Sequence, residues 1–300
     1  MTTPPFLKPG DKVAIVATAR KIYLKDLDDG IALLKKWGLI PVIGKTIGLS
    51  DNQYAGTDAQ RAQDIQQMLN DPEIKAIWCA KGGYGTVRII DQLDFYKFVK
   101  YPKWIIGYSD VTVLHSHLHK IGFKTLHAIM PLSIEDNTAF AKASLKESLF
   151  GEKPTLSYNT QHSLNRTGQA KGELVGGNLS ILYSLCGSSS GLDTEGKILF
   201  IEDLDEYLYH IDRMIMNLKR NGMLDHLAGL VVGGMTKMHD NRTPFGKTAQ
   251  EIVIDAVQEC TFPVAFDFPA GHLDDNRALL LGSEVTLEVS NTKATITYES

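Results

Sequence analysis

The sequence predicts an α/β protein, because short apolar runs alternate with stretches of helical periodicity over the first 130 residues. Repeated strand–helix units of this kind form a parallel sheet with helices on both faces, and ligand sites lie beyond the carboxyl ends of the strands. A Gly-rich loop at 82–85 and the tetrad at 107–110 each follow an apolar run. We therefore expect both segments to lie along the same edge of the sheet.

Local patterns define the expected elements of the first half. A helix that begins at Leu24 has apolar residues at helical spacing and stops at Gly38, and Thr57 with Gln60 forms a capping-box pair that opens a second helix. Further helices are expected after the Gly-rich loop and after residue 110. The predicted strands are Val13–Thr18, Leu39–Ile43, Ile74–Ala80, 104–107 and Thr125–Ile129.

The segment 151–170 is polar, turn-rich and weakly periodic, which is typical of a linker. It divides the chain into an N-terminal domain, 1–150, and a smaller C-terminal α/β domain, 171–300. In the second domain, helices are expected near 178–185, 209–220 and 247–258, and strands at 197–202, 228–233, 264–268, 284–289 and 293–298.

Composition excludes several classes of protein. The 300 residues are 43% hydrophobic and 22% charged, and a net charge of -4 gives no electrostatic basis for binding nucleic acid or an anionic membrane. Three widely spaced cysteines indicate neither a disulfide framework nor a zinc site, and no run of 18 apolar residues could span a membrane. The apolar run 13–16 is shorter than the core of a signal peptide, so we expect a buried first strand and a cytoplasmic protein.

Ser109 is the first candidate for chemistry. It lies in Gly107–Asp110, between a short apolar run and a predicted helix. A serine on such a turn exposes its hydroxyl above the sheet, near the free N–H groups of the helix N-terminus, as a nucleophile requires. The pattern is partial, because Val111 stands where a nucleophile elbow has its second glycine. An N-cap serine is the alternative interpretation.

The Gly-rich loop Gly82–Gly85 has neither the spacing of a P-loop nor that of a dinucleotide-binding loop. Its glycines allow backbone N–H groups to turn toward a bound group, as an oxyanion hole or a carboxylate site requires. A tight turn where a helix packs on the sheet explains the same residues equally well.

Three histidines on the next predicted helix suggest a metal site at first sight. His115 and His119 share a helix face, but His117 points away from it, so the three cannot bind one ion together. We expect a partly buried helix surface there and no metal site.

Carboxylates and a histidine provide the remaining candidates. The strand 197–201 ends in Glu202 and Asp203, and two more acids follow at 205 and 206. A carboxylate at a strand end is well placed to orient a histidine, although such a cluster is also typical of a solvated turn. His272, in a loop between Gly271 and further acids, can serve as a base or as a surface group.

In chain order, these segments together resemble the LD-carboxypeptidase family of serine peptidases, the muramoyl-tetrapeptide carboxypeptidases. The resemblance extends from the first strand to about Gly282. It implies an N-terminal flavodoxin- or amidotransferase-like domain that carries the serine, and a smaller C-terminal domain that carries the other two triad residues. The segments that carry it are Gly82–Gly85, Gly107–Asp110, Gly176–Leu179, Phe200–Asp203, Ile211–Arg213 and Gly271–His272.

The resemblance also implies roles for individual residues. Ser109 is expected as the nucleophile, His272 as the general base and Glu202 as the acid that orients it. The backbone N–H groups of Asp110 and Gly83 are expected to form the oxyanion hole. No metal or organic cofactor is implied, and subunits are expected to pair as homodimers. Two further residues, Asn178 and Arg213, are candidates for the substrate side, and structural roles are the alternative interpretation for both.

The implied activity is release of the terminal D-alanine from muropeptide tetrapeptides, by hydrolysis of an L,D-peptide bond in cytoplasmic cell-wall recycling. One alternative is a self-immunity peptidase that cleaves peptide–nucleotide antibiotics, but the 93-residue interval from Ser109 to Glu202 looks unextended for that role. Another alternative is a non-catalytic α/β ligand-binding module, against which the presence of all three triad residue types argues. The first loop departs from the family, because Thr18–Arg20 stands where a Pro and a Ser are common.

Overall fold

The computed structural model describes residues 1–152 and 155–299, and its strands fall into two sheets. The strands are β1 (Lys12–Val16), β2 (Ile40–Ile43), β3 (Ile74–Cys79), β4 (Trp104–Gly107), β5 (Thr125–His127), β6 (Leu156–Asn159), β7 (Gly168–Asn178), β8 (Ile198–Leu204), β9 (Gly229–Thr236), β10 (Val264–Ala265), β11 (Leu279–Leu281), β12 (Glu284–Val289) and β13 (Lys293–Tyr298).

The helices of the described chain lie mostly between consecutive strands. They are α1 (Asp28–Lys36), α2 (Asp58–Asn70), α3 (Tyr96–Lys100), α4 (Thr112–Lys120), α5 (Ala139–Leu149), α6 (Leu179–Leu185), α7 (Leu208–Arg220) and α8 (Ala249–Ala256). The capping box predicted at Thr57 and Gln60 is present at the start of α2. Within the described residues, no helix is long and apolar enough to cross a membrane.

The first sheet has the strand order β11-β5-β4-β3-β1-β2, and β1 to β5 are parallel. Successive residues of a strand point to opposite faces, and β1 packs accordingly. Ile15 joins one apolar cluster with Leu34 of α1, whereas Val16 joins another cluster with Ile65 of α2. The predicted parallel sheet with helices on both faces is therefore confirmed.

The second sheet has the order β10-β9-β8-β7-β12-β13-β6. β7 connects its two parts, because residues 168–173 pair antiparallel with β12 and residues 174–178 pair parallel with β8. The sequence did not predict β6, β7, α5 or β11. The outer part of β7 is largely exposed and polar, so no apolar run marked it as a strand.

The predicted linker 151–170 contains β6 and the first residues of β7, and two of its residues, 153 and 154, lie outside the described chain. β6 pairs with β13, so part of this segment belongs to the second sheet. β11 joins the first sheet by antiparallel pairing with β5, although it comes from the C-terminal half. The C-terminal half thus contributes a strand to the first sheet, and the division at 150 and 171 stays a prediction.

Two further elements differ from expectation. The helix predicted after the Gly-rich loop is replaced by 3-10 turns at Thr86–Arg88 and Ile90–Gln92, followed by the short α3. The strand predicted at 264–268 is paired only at β10, since Asp267 has a positive φ of 58° that interrupts extended backbone.

Candidate active site

Ser109 lies on a sharp turn between β4 and α4. Its φ is +63°, and it begins a 3-10 turn, Ser109–Val111, that leads into the helix. A non-glycine residue in the left-handed region is strained by about 1–3 kcal/mol, and such strain is typical of functional sites. The N-cap position of the turn belongs to Tyr108, and no side-chain capping bond is formed there. The geometry therefore does not support the alternative of an N-cap serine.

The Gly-rich loop lies directly against this turn, as expected from the shared edge of β3 and β4. A Cβ atom added to Gly82 would lie 3.1 Å from Ser109 Oγ. The Asp110 carboxylate accepts a hydrogen bond of 2.9 Å from the Thr86 N–H, which fastens the end of the loop to the serine turn. The two expected oxyanion donors, Asp110 and Gly83, thus belong to neighbouring segments, and Gly83 lines the same cavity as Ser109.

Glu202 and His272 form a hydrogen-bonded pair beside this cavity, and the half-buried His272 lines it. Glu202 Oε2 lies 2.6 Å from His272 Nδ1 and accepts a second bond of 3.2 Å from the His272 backbone N–H. The Glu202 side chain has no exposed surface. Because a carboxylate only accepts hydrogen bonds, Nδ1 carries the proton, and Nε2 is the nitrogen left to accept one.

Gly271 allows the acid to approach this closely. A Cβ atom at this position would lie 2.6–2.7 Å from Glu202 side-chain atoms, and the φ of +100° disfavours any other residue. The Tyr108 ring packs against the His272 ring with centroids 4.8 Å apart. The histidine is therefore held by the acid on one side and by an aromatic neighbour of Ser109 on another.

Ser109 and His272 both line one cavity of about 470 Å³ between the two sheets. No hydrogen bond joins the serine hydroxyl to the imidazole within the described chain. Catalytic hydrogen bonds of unliganded enzymes are often long and shorten when substrate binds. The arrangement thus offers a hydroxyl, an oriented base and backbone N–H groups around one space, which is the set that acyl transfer needs.

Neighbouring acids of β8 share Asn178 Nδ2 as a hydrogen-bond donor but differ in their other partners. Glu202 points to the face of Phe200 and His272, whereas Asp203 accepts hydrogen bonds from Asn178 Nδ2 at 3.0 Å and from the Ser180 N–H at 2.9 Å. Glu206 lies 2.6 Å from His210 instead. Of these acids, only Glu202 contacts His272.

The two residues expected on the substrate side differ in position. Asn178 is buried, caps α6 by accepting a 3.2 Å bond from the Ile181 N–H, and donates to Glu202 Oε1 at 3.3 Å while lining the cavity. Arg213 is exposed on α7, lies over the Tyr209 ring and does not line the cavity. The geometry supports an orienting role for Asn178 and gives no support to a substrate role for Arg213.

Comparison with known proteins identifies the family. A family model described as the LD-carboxypeptidase N-terminal domain matches residues 13–128, and one described as the C-terminal domain matches residues 171–287. The chain belongs to the LD-carboxypeptidase family. It is accordingly a serine-type hydrolase of peptide bonds, and the resemblance noted from its motifs is confirmed.

Three relatives of this LD-carboxypeptidase are informative. It is 35% identical over 299 residues to the probable murein peptide carboxypeptidase of Bacillus subtilis, covering 98% of this chain and 93% of that one. The muramoyltetrapeptide carboxypeptidase of Oxalobacter formigenes superposes with a TM-score of 0.87 at 26% identity, over 96% and 99% of the two chains. The microcin C7 self-immunity protein MccF of Escherichia coli is 25% identical, over 90% of this chain and 87% of its own.

The three histidines of α4 have unrelated partners. His115 Nε2 lies 2.9 Å from the Gly107 carbonyl oxygen, His117 Nδ1 lies 2.9 Å from Ser190 Oγ, and His119 contacts Glu173. His115 is fully buried rather than partly so, and burial lowers its pKa to about 4. Among the described residues, no group of three His, Cys, Asp or Glu side chains could hold a metal ion.

Burial and neighbouring charge both shift the pKa values of the site. Burial by itself lowers the pKa of His272, but the charge and hydrogen bond of Glu202 outweigh it, so the pKa is raised. Burial, and then the charge of Glu202, raises the pKa of Asp203 to about 7. Burial raises the pKa of Tyr108 to about 12, so it stays neutral beside the histidine.

The sequence did not point to Arg61, which is fully buried in α2 and supports the Gly-rich loop. Its Nη1 donates to the carbonyl oxygens of Gly85 at 2.9 Å and of Thr18 at 2.5 Å, and its guanidinium pairs with Asp58. An arginine in an amphipathic helix is normally assigned to the solvent face, so helical periodicity gave no signal for it.

Proposed function

We propose that this protein releases the terminal D-alanine from peptidoglycan tetrapeptides by hydrolysing the L,D-peptide bond, with Ser109, His272 and Glu202 as its catalytic triad. The observation that carries the proposal is the hydrogen bond of 2.6 Å between His272 Nδ1 and buried Glu202 Oε2, since His272 lines a cavity that Ser109 also lines. The carboxypeptidases of Bacillus subtilis and Oxalobacter formigenes, to which the chain is similar over nearly its whole length, support the substrate class.

In the proposed acylation step, His272 Nε2 takes the proton from Ser109 Oγ as this oxygen attacks the carbonyl carbon that precedes D-alanine. Glu202 keeps the proton of the neutral imidazole on Nδ1 and stabilises the imidazolium that forms. His272 then gives its Nε2 proton to the leaving amine, and D-alanine departs. The acyl group is left as an ester on Ser109.

The tetrahedral intermediate carries its negative charge on the former carbonyl oxygen. The N–H groups of Asp110 and Gly83 are proposed to hold this oxygen, and removing one such donor typically costs about 3–4 kcal/mol, or about 10²–10³ in rate. Water activated by His272 then hydrolyses the ester and regenerates Ser109. Each proton moves among Ser109, His272, water and the leaving amine, so the proposed mechanism needs no cofactor.

The alternative activity is cleavage of a peptide–nucleotide conjugate. The similarity of the chain to the self-immunity protein MccF is the observation that favours this alternative. The test incubates the full-length protein with the free tetrapeptide L-Ala-γ-D-Glu-diaminopimelate-D-Ala and with an aminoacyl sulfamoyl nucleoside. Mass spectrometry then follows D-alanine and nucleoside release. D-Alanine release that is absent from a Ser109→Ala preparation supports the proposal, and nucleoside release without D-alanine release contradicts it.

The family resemblance further supports a homodimer that acts on recycled muropeptides in the cytoplasm. Equilibrium sedimentation and cell fractionation test these two features. A monomer at micromolar concentration, or recovery of the protein outside the cytoplasm, would contradict them.

A further inference from the structure

The cavity that contains Ser109 has walls of opposite charge. Arg20 and Lys81 come from the loops after β1 and β3, whereas Asp203, Asp205 and Glu206 come from the end of β8 and the loop after it. A substrate carboxylate is repelled by the acidic wall and attracted to the basic one. The basic wall is also the side on which Ser109 and the Gly-rich loop lie.

The guanidinium of Arg20 is free to bind a ligand. Its side chain is exposed, and within the described residues it forms neither an ion pair nor a side-chain hydrogen bond. Arg61 and Arg88, the arginines nearest to Arg20 in sequence, both form ion pairs with Asp58. Guanidinium groups match carboxylates in shape and bind them through two parallel hydrogen bonds.

The backbone holds Arg20 beside the expected oxyanion hole. Arg20 is bridged to Tyr54, and the Ala55 N–H donates to the Ala19 carbonyl oxygen at 3.0 Å, so the loop after β1 is anchored. A Cβ atom built on Gly83 would lie 2.5 Å from Arg20 Cδ and 2.7 Å from Nε. The arginine side chain therefore lies on the residue whose N–H is expected to hold the substrate oxygen.

We propose that Arg20 is a specificity-determining residue that binds the C-terminal carboxylate of the substrate. This inference rests on the proposed function, and it extends it by naming the group that restricts the enzyme to the last peptide bond. In a tetrapeptide the terminal carboxylate is separated from the scissile carbonyl carbon by only the amide nitrogen and one Cα. When that carbonyl oxygen lies at Gly83, the carboxylate is within reach of a side chain that packs on Gly83.

The geometry favours the terminal carboxylate over the other acids of a peptidoglycan stem. The carboxylates of the second and third stem residues lie on the acyl side of the scissile bond, whereas the terminal one leaves with the amine. Binding by Arg20 thus selects a free C-terminus and disfavours an internal bond, where a neutral amide replaces the carboxylate. A neutral group there leaves the guanidinium without its charged partner.

The experiment compares the tetrapeptide with its C-terminal amide, using wild-type protein, Arg20→Met, Arg20→Lys and Lys81→Met. From the free energy of hydrogen bonds to charged groups, we expect the kcat/KM of wild-type protein to be about 10- to 100-fold higher for the tetrapeptide acid than for its amide. Arg20→Met should reduce this preference to less than about threefold, and Arg20→Lys should restore part of it. Lys81→Met, which removes the other cation of the cavity, should retain most of the preference.

A second measurement separates binding from hydrolysis. Calorimetric titration of D-alanine-terminated peptide into Ser109→Ala protein should show binding that weakens about 10- to 100-fold when Arg20→Met is added. The amide should bind both proteins about equally. An exposed side chain contributes little to the free energy of folding, and circular dichroism with thermal unfolding verifies this for each variant.

Unchanged acid preference in Arg20→Met, with D-alanine still released by wild type, would overturn the role of Arg20 and leave the proposed function standing. Loss of the preference in Lys81→Met alone would transfer the role to Lys81 and also overturn the inference. Absence of D-alanine release by wild type would contradict the proposed function itself, and the assignment of Arg20 would fall with it.

Discussion

The two sides of the candidate site are built by different means. On the first sheet, backbone conformation determines the geometry: Ser109 has a positive φ, and Gly83 with Asp110 would act through main-chain N–H groups. On the second sheet, side chains determine it, because Glu202 and His272 are joined by hydrogen bonds and enclosed by neighbours. Apart from Ser109 itself, the nucleophile side should therefore tolerate side-chain changes that preserve the turn, whereas the acid–base side should not.

The largest expected effect is loss of hydrolysis in Ser109→Ala, because this variant lacks the oxygen that is proposed to attack the substrate carbonyl carbon. The fold should be retained, since the substitution removes one oxygen and keeps the backbone. Turnover of tetrapeptide should fall below a few per cent of wild type in a purified preparation. Ser180→Ala is the matched control, since Ser180 lines the same cavity, and it should keep most of the activity. Substantial turnover by Ser109→Ala would remove this residue from the mechanism.

Glu202→Gln should have the next largest effect on kcat, about 10³- to 10⁴-fold, because an amide permits the wrong histidine tautomer. Asp203→Asn is the matched control, because Asp203 is the next residue of β8 and accepts hydrogen bonds from Asn178 and Ser180 rather than from His272. The pKa of Asp203 is raised to about 7 by burial and by Glu202, so a neutral side chain resembles a form that it already adopts. We expect at most about a tenfold loss for this variant. A larger loss in Asp203→Asn or Glu206→Gln than in Glu202→Gln would show that the acid is wrongly assigned.

Gly271→Ala tests how closely the second sheet must hold the acid. The added methyl would lie 2.6–2.7 Å from Glu202, so it should displace the carboxylate and reduce kcat by at least about tenfold. Gly10→Ala is the control for backbone strain, since its φ of +91° resembles the +100° of Gly271 but nothing lies within 4 Å of its Cβ position. Both variants should lose about 1–2 kcal/mol of stability from left-handed backbone, measured by chemical denaturation. Equal activity in the two variants would show that catalysis does not require the Glu202 side chain to lie this close to Gly271.

Parts of this arrangement followed from the sequence. Ser109 and the Gly-rich loop were predicted to share an edge because adjacent parallel strands end on the same side of a sheet, and they do. The choice of Glu202 among neighbouring acids came from family resemblance. Alternation along β8 provides the physical reason, because Phe200 and Ile201 belong to different apolar clusters and Glu202 follows the face of Phe200.

Other parts depended on contacts distant in sequence. β6 and the outer half of β7 are polar and exposed, so their strand character arises from pairing with β13 and β12 rather than from an apolar pattern. Arg61 is buried only because carbonyl oxygens of two separate loops converge on it. Arg20 stood out in the sequence only as a departure from the family. No local rule predicts such convergence, since it is a property of the assembled sheet edge.

The smallest expected effect is a pH dependence in which activity and stability change in opposite directions. Burial by itself lowers the pKa of His272. The charge and hydrogen bond of Glu202 act more strongly together, so the pKa lies above the ordinary histidine value of about 6.5. The base must be neutral, so kcat/KM should rise with pH through a midpoint above about 6.5. The stability contributed by the charged pair is fully present below the unfolded pKa and is lost as pH rises through the folded pKa. In this interval the enzyme should therefore become more active and less stable.

Asp203 changes charge in the same interval, and its raised pKa also makes stability fall with rising pH, between about 4 and about 7. The stability measurement is therefore made in Asp203→Asn protein, where the remaining decrease above pH of about 6.5 reports on His272. In Glu202→Gln the two largest influences that raise the pKa of His272 are removed, whereas burial and the smaller influence of Asp203 are left. The imidazole titration followed by NMR should therefore move to lower pH. An unchanged titration midpoint would mean that Glu202 does not control the protonation of His272. The conclusion that side-chain hydrogen bonds determine the acid–base side of the site would then be wrong.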